Sequence, residues 1–292
     1  AVMRKFTAVV YESFPVQALV TLVMYGLYAA LIGVCLLPSA FVLHVSSHAF
    51  LAAPPASMAL AVRLLLFCLC AAASIYVFFI TGVIVMGSLV GLLRLGMKPG
   101  RYPMFSATTA RWLIYSGIYV IAQRAILPFI PITFFSNLFF RLVGCLLGKR
   151  VRLNSWLLND AWLIEIGDDV VIGGGTDLTP HQFEDNHLIL EPIRIGSGTL
   201  VGALCYLSSG VTVGKNCLIG IKSYLRRGTT VPDGTRTTSL AGLPLRDMYR
   251  IEKAGRAARQ ADRPPKTPKP DRERAARLPR RPRKQVRPKR PR

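Results

Sequence analysis

Four histidines are the side chains of this 292-residue sequence best suited to moving protons near neutrality, and they fall in two pairs. His44 and His48 stand four apart, a spacing that puts both rings on one helical face, as metal ligands or a proton relay would need. No carboxylate or cysteine lies near them, so they read instead as residues of an outer membrane interface. His181 and His187 lie in the stretch TPHQFEDNHLILEPIR, with Glu184 and Asp185 between them. An imidazole in such a loop can serve as a general base, and the acidic pair can orient a ring or bind a cationic amine. The competing reading of that pair is a solvated loop. The six cysteines, Cys35, Cys68, Cys70, Cys145, Cys205 and Cys217, are scattered and read as small buried residues, so neither a disulfide framework nor a zinc site is indicated and no metal is expected.

The element that must position the second pair is visible in the spacing of aliphatic residues. Ile195, Val201, Leu207, Val213, Ile219, Leu225 and Val231 recur every six positions, an earlier register runs through Ile166, Ile172 and Leu178, and blocks from Leu147 continue the style. Each six-residue block predicts one short strand and one turn, with three blocks to a coil of a triangular prism. The aliphatic points inward and small residues permit the corners. A β-sandwich would alternate at period two, with hairpin turns every 8 to 12 residues or so. The periodicity breaks between Leu178 and Ile193, which predicts a loop thrown out from one corner. On a rigid solenoid such an excursion is where reactive side chains belong.

Ahead of the repeat the chain is apolar. Pro15 to Leu43 contains no charge and exceeds the roughly 20 residues a bilayer core requires. It is too long for a signal-peptide core, and the opening residue, Ala1, suggests a trimmed chain or a piece of a longer one. A second uncharged run lies between Arg63 and Arg94, with Gly82, Gly87 and Gly91 along it. These glycines either admit a neighbouring helix or are ordinary membrane-helix composition, and we take the second reading. Arg4 and Lys5 precede the first span, Arg94, Lys98 and Arg101 follow the second, and the segment between His44 and Ser57 has no Lys or Arg. That asymmetry predicts a helical hairpin in the cell inner membrane with the β-helix and tail cytoplasmic. A third apolar region, Trp112 to Leu147, is interrupted by Arg124, Arg141 and prolines and reads as interfacial or docking structure, with a third span as the alternative.

The net charge of +22 belongs mostly to the end of the chain: from Lys253 onward 17 Lys and Arg face three acids. Such a segment cannot bury enough apolar surface to fold alone and is expected to be disordered. It has no aromatic residue, which disfavours nucleic acid, and its expected partner is anionic lipid, worth up to about 1 kcal/mol per basic residue. The expected organisation is therefore a transmembrane helical hairpin over 1–105, an interfacial docking region over 106–146, a left-handed parallel β-helix of hexapeptide repeats over 147–248, and a basic Pro-rich tail over 249–292.

The repeat resembles the hexapeptide-repeat acyltransferases that use acyl-CoA. Their sequence of a His-bearing loop, paired IG blocks, a basic stretch and a closing G-x-P is matched by Pro180-His181, IGSGTLVG, SGVTVG, GIKSYLRRGTTVP and AGLP. Taken with the preceding spans, the phrases NDAWLIEIGDDVVIGG and PHQFEDNHLIL are also similar to membrane-embedded terminal domains of nonribosomal-peptide-synthetase-like enzymes. The first resemblance implies His181 as general base, Glu184 as its orienting or acceptor-binding neighbour, Gly202 and Ala203 at the pantetheine-facing corner, and Arg227, with Lys222 beside it, at the phosphates. It implies a homotrimer and an acyl-CoA or carrier-bound thioester donor. Leu200 in place of the usual aromatic, and Arg226-Arg227-Gly228, depart from the pattern and weaken free coenzyme A as the donor. Three functions follow as expectations: a membrane acyltransferase acting on a hydroxyl or amine of an amphiphilic or small-molecule acceptor, a peptide-bond-forming or tailoring terminal unit of a larger synthetase, or a non-catalytic trimeric membrane scaffold.

Overall fold

The structure, a computed structural model, describes residues 14–55 and 57–237. Arg4, Lys5, the closing AGLP motif and the basic tail lie outside the described residues. An uncharged apolar run away from water can satisfy its backbone by forming a helix. Accordingly Phe14–Ser47 (α1) and Leu60–Leu93 (α2) are helices of 34 residues each. They meet through Cys35, Ser39 and Ser74, where the Ser39 hydroxyl donates to the Ser74 carbonyl at 2.6 Å. Elsewhere they offer apolar surface outward, with Leu22, Phe41 and Leu60 each 68% exposed. Among the described residues, three helical stretches, Gln17–Ala52, Leu60–Leu93 and Ala107–Phe129, are long and apolar enough to cross a membrane.

The reading of the α2 glycines as ordinary composition does not hold. A Cβ at Gly82 would lie 2.4 Å from Ile126 Cδ1, and one at Gly91 would lie 2.2 Å from the Leu142 carbonyl oxygen. The glycines clear a track on α2 into which two later segments settle: the residues just after Ala107–Ala125 (α3) and the short helix Phe134–Leu142 (α4). Both later helices start at a hydroxyl cap, Ser106 accepting from the Thr109 N–H and Thr133 from the Ser136 N–H. The Arg111 guanidinium reaches back to the carbonyls of Leu93 and Leu95 at the end of α2. Half of the third apolar stretch is buried, against 6% for each of the first two. Its buried face meets the start of the repeat.

From Leu146 onward the chain forms three parallel sheets. The first holds β2 (Leu146–Leu147), β4 (Ile164–Ile166), β9 (Ile193–Ile195), β12 (Thr212–Val213) and β15 (Thr230–Val231). The second holds β3 (Arg152–Leu153), β5 (Val171–Ile172), β10 (Leu200–Val201) and β13 (Leu218–Ile219), and the third β6 (Asp177–Leu178), β11 (Tyr206–Leu207) and β14 (Tyr224–Leu225). Consecutive strands visit the three sheets in rotation, and Val201 pairs with Ile219, Leu207 with Leu225 and Val213 with Val231. The offset is three six-residue blocks, as the periodicity predicts. The in-phase aliphatics point inward: Ile172, Leu178, Val201, Leu207 and Ile219 have no exposed surface. Corners fall in columns, one residue of positive φ closing each: Asp169, Gly198 and Asn216 at the first, Gly175, Leu204 and Lys222 at the second, Asp160, Gly210 and Gly228 at the third.

The excursion at the third corner is not an irregular loop. It is a β-hairpin, β7 (His181–Glu184) and β8 (His187–Leu190), turned by Asp185 and Asn186 at φ 48° and 60°. Two adjacent residues of positive φ are the turn that matches strand twist. On its other edge β8 pairs with β1 (Gly100–Pro103), the strand linking α2 to α3, so the hairpin is tied to the helical half.

Candidate active site

The third corner brings Asp160 and His181 together because they occupy it in successive turns of the coil. Leu158 pairs with Leu178, and the chain then leaves each strand for the corner, through Asp160 in one turn and into β7 in the next. Asp160 is 2% exposed and adopts the left-handed conformation at φ 43°, unusual for a residue other than glycine but tolerated by Asp. Its Oδ2 lies 2.5 Å from His181 Nδ1, and its Oδ1 accepts from Trp112 Nε1 at 2.8 Å. A carboxylate that accepts there takes the Nδ1 proton and leaves the ring lone pair on Nε2. That tautomer is the one a general base uses, and the His181 side chain is 26% exposed. Trp112 packs edge-on against the ring, centroids 5.0 Å apart, and Phe183 adds a second aromatic edge to Trp112 at 5.6 Å.

Alternation along β7 sorts the remaining residues. His181 and Phe183 face Trp112, whereas Gln182 and Glu184 face the coil, where Gln182 meets Ser209 and Glu184 meets Arg227. The carboxylate in contact with His181 is therefore that of Asp160, while Glu184, on the other side of the strand, contacts Arg227. Arg227 Nε donates to Glu191 Oε2 at 2.7 Å and its Nη1 to Glu184 Oε2. The hydrogen bond it donates to Glu191 holds the guanidinium still more firmly protonated than usual. The expected phosphate-binding arginine thus sits between two carboxylates. His187 points back at its own turn, its Nδ1 2.7 Å from the Asp185 carbonyl oxygen.

Gly202, Ala203 and Lys222 lie at the second corner, one sheet away from His181. Gly202 is needed there for stacking: a Cβ would lie 2.8 Å from the Ile221 nitrogen and 2.9 Å from the Ile219 oxygen. The Lys222 N–H donates to the Ala203 carbonyl at 2.9 Å. Between the two corners the third sheet carries Asp177, Tyr206 and Tyr224 in register on its outer side, the tyrosine rings stacked at 5.4 Å. Asp177 Oδ1 accepts from Asn159 at 2.8 Å and from Thr179 at 2.6 Å. His44 and His48 are exposed in the helical hairpin, and among the described residues no group of three or more metal-ligating side chains comes together.

Asp160, Trp112 and Asp177 were not singled out by spacing. Trp112 and Asp160 are 48 residues apart, and Asp160 sits in a block whose aliphatic register is imperfect, so only the folded corner joins them.

Desolvation pushes the Asp177 carboxyl above the ordinary carboxylate range, partly opposed by the Thr179 hydrogen bond. A raised value in the fold means the charged form is disfavoured there, so its contribution to stability falls as pH rises above about 4. Asp177→Asn keeps an acceptor for both donors and removes the charge. It is expected to stabilise the fold in detergent at pH 7 by less than about 1 kcal/mol given partial exposure, read as a higher unfolding temperature, and the gain should vanish near pH 3. Thermal melts across that range check it.

No protein-family model matches the chain. A delta-poly-L-ornithine synthetase of Acinetobacter baumannii is 26% identical over 149 residues, which is 49% of this chain and 10% of that protein. The chain thus matches about a tenth of that relative's length. Among solved structures, a maltose O-acetyltransferase from Clostridium difficile aligns with 49% of this chain and 89% of its own at 13% identity and a TM-score of 0.37. A hexapeptide-repeat acetyltransferase from Vibrio cholerae, complexed with acetyl coenzyme A, aligns with 52% of this chain and 94% of its own at 15% identity and the same TM-score.

Proposed function

We propose that this chain is a membrane-bound acyltransferase that moves an acyl group from a thioester to an amine or hydroxyl, with His181 as the general base. The observation that carries the reading is the Asp160–His181 contact through Nδ1, which supports a base at Nε2, the ring nitrogen not engaged by Asp160. Nε2 takes the proton as the acceptor heteroatom attacks the thioester carbonyl. The tetrahedral intermediate then collapses, the C–S bond breaks, and the thiolate recovers that proton from the imidazolium. Asp160 stabilises the transient cation throughout.

An amine acceptor is favoured by the relative's name, which describes ornithine units joined through their δ-amino groups. In this reading Asp177, on the third sheet that leads into the His181 corner, receives such an ammonium before it loses its proton. For the donor, acyl-CoA follows from the motif resemblance, and a carrier-bound thioester is the second reading. What favours the second is Arg227, which is already engaged by Glu184 and Glu191. In this proposal the coil is a left-handed β-helix assembled as a trimer, because Gly202, Ala203 and Lys222 reach a base only if their corner meets His181 of a neighbouring copy. The β-helix lies on the cytoplasmic side of the cell inner membrane, with the tail on anionic headgroups.

The test uses the full chain in nanodiscs with acetyl-CoA or an acetylated carrier protein as donor and primary amines or alcohols as acceptors. Acceptor-dependent thiol release, lost in His181→Ala, is the expected result. Thiol release no greater than that of the variant, with every donor, would leave the scaffold reading in its place.

A further inference from the structure

One face of α3 is directed at a five-residue stretch of the first turn of the coil. The Tyr119 hydroxyl donates to the Leu158 carbonyl, Gln123 Nε2 reaches the Trp156 carbonyl and Asn159 Oδ1 at 3.3 Å each, and Trp112 Nε1 donates to Asp160. Positions 112, 119 and 123 share a helical face, so the three donors form one stripe. A helix that only had to dock would do so with apolar groups, since every buried donor must find an acceptor. Here the acceptors belong to the segment that carries Asp160.

The carboxylate of Asp160 turns about a soft torsion, and a single hydrogen bond to one oxygen leaves that torsion loosely set. Two donors on its two oxygens set it firmly. We infer that Trp112 is a positioning residue for the proposed reaction: its N–H on Oδ1 holds Asp160 with Oδ2 on the His181 ring, so the aim of the base is set from the helical half of the chain. The indole is 4% exposed and also packs its edge on the imidazole, which keeps water from replacing its N–H. The inference rests on His181 being the base.

The decisive substitution replaces Trp112 by benzothienylalanine in the full chain in nanodiscs, exchanging N–H for sulfur while keeping the ring system, with Trp112→Phe beside it. Two quantities are read: kcat and KM with acetyl-CoA and octylamine, and the low-field proton resonance of the His181 ring N–H, assigned by its loss in His181→Asn. The expected result is a fall in kcat of about tenfold with KM changed by less than about twofold, and loss or broadening of that resonance. An analogue with wild-type kcat and an unaltered resonance overturns the inference, and so does a fall in kcat with the resonance unaltered. If His181→Asn keeps full turnover, the base assignment fails instead, and the resonance still reports whether Trp112 holds Asp160.

Discussion

Asp160→Asn is expected to lower turnover by about 10²- to 10⁴-fold with little change in donor KM. The reason is a conflict over hydrogens. Trp112 Nε1 supplies a proton and needs an acceptor, so the Asn oxygen takes that position and its NH₂ is turned to His181. The ring then accepts at Nδ1 and carries its proton on Nε2, the wrong tautomer for a base. The side chain is 2% exposed and matches the original in shape, so the variant should fold. Acyl transfer by the purified variant in nanodiscs checks this, with the melting temperature as control. Turnover within about threefold of wild type would remove Asp160 from the mechanism.

Gly91→Val is expected to have the largest effect on stability. A Cβ there meets the Leu142 carbonyl oxygen at 2.2 Å and its carbon at 3.2 Å, and backbone cannot swing aside as a side chain can. Leu142 ends α4 four residues before the first strand of the coil. The clash must therefore lift α4 from α2 or displace the entry into the repeat. A loss of about 3 kcal/mol or more is the expected outcome, read as a large fall in the melting temperature or as aggregation during size exclusion. Gly26→Val on α1, where nothing lies within 4 Å, is the matched control and should leave both measurements unchanged.

The parallel sheets were legible because their signal is periodic: in-phase aliphatics reveal an interior even when each strand is two residues long. The hairpin was harder, because HLIL carries three consecutive apolar residues and shows no alternation. HQFE and HLIL read as strands only once Asp185-Asn186 is recognised as a pair that tolerates positive φ. The glycine track on α2 was visible but ambiguous, since glycine spacing does not say what fills the space. Half of the dyad was legible. His181 stood out as an imidazole in a break, whereas Asp160 owes its role to burial and to the helix above it, which are properties of the folded corner and leave no local trace.

The hairpin also bears on how such a chain tolerates change. Ile166 pairs with Ile195 across 29 residues, where the later turns pair across 18, yet the stacking resumes in register on the far side. The excursion is therefore an insertion at one vertex that leaves the register of the stack intact, while β1 ties its outer edge to the helical half. Lengthening it at the Asp185-Asn186 turn should perturb the stack little, because closing a longer loop adds only about 0.6 kcal/mol per doubling. Such a vertex accepts extra chain without disturbing the stack beneath it, because the pairing on both sides of the excursion keeps one register.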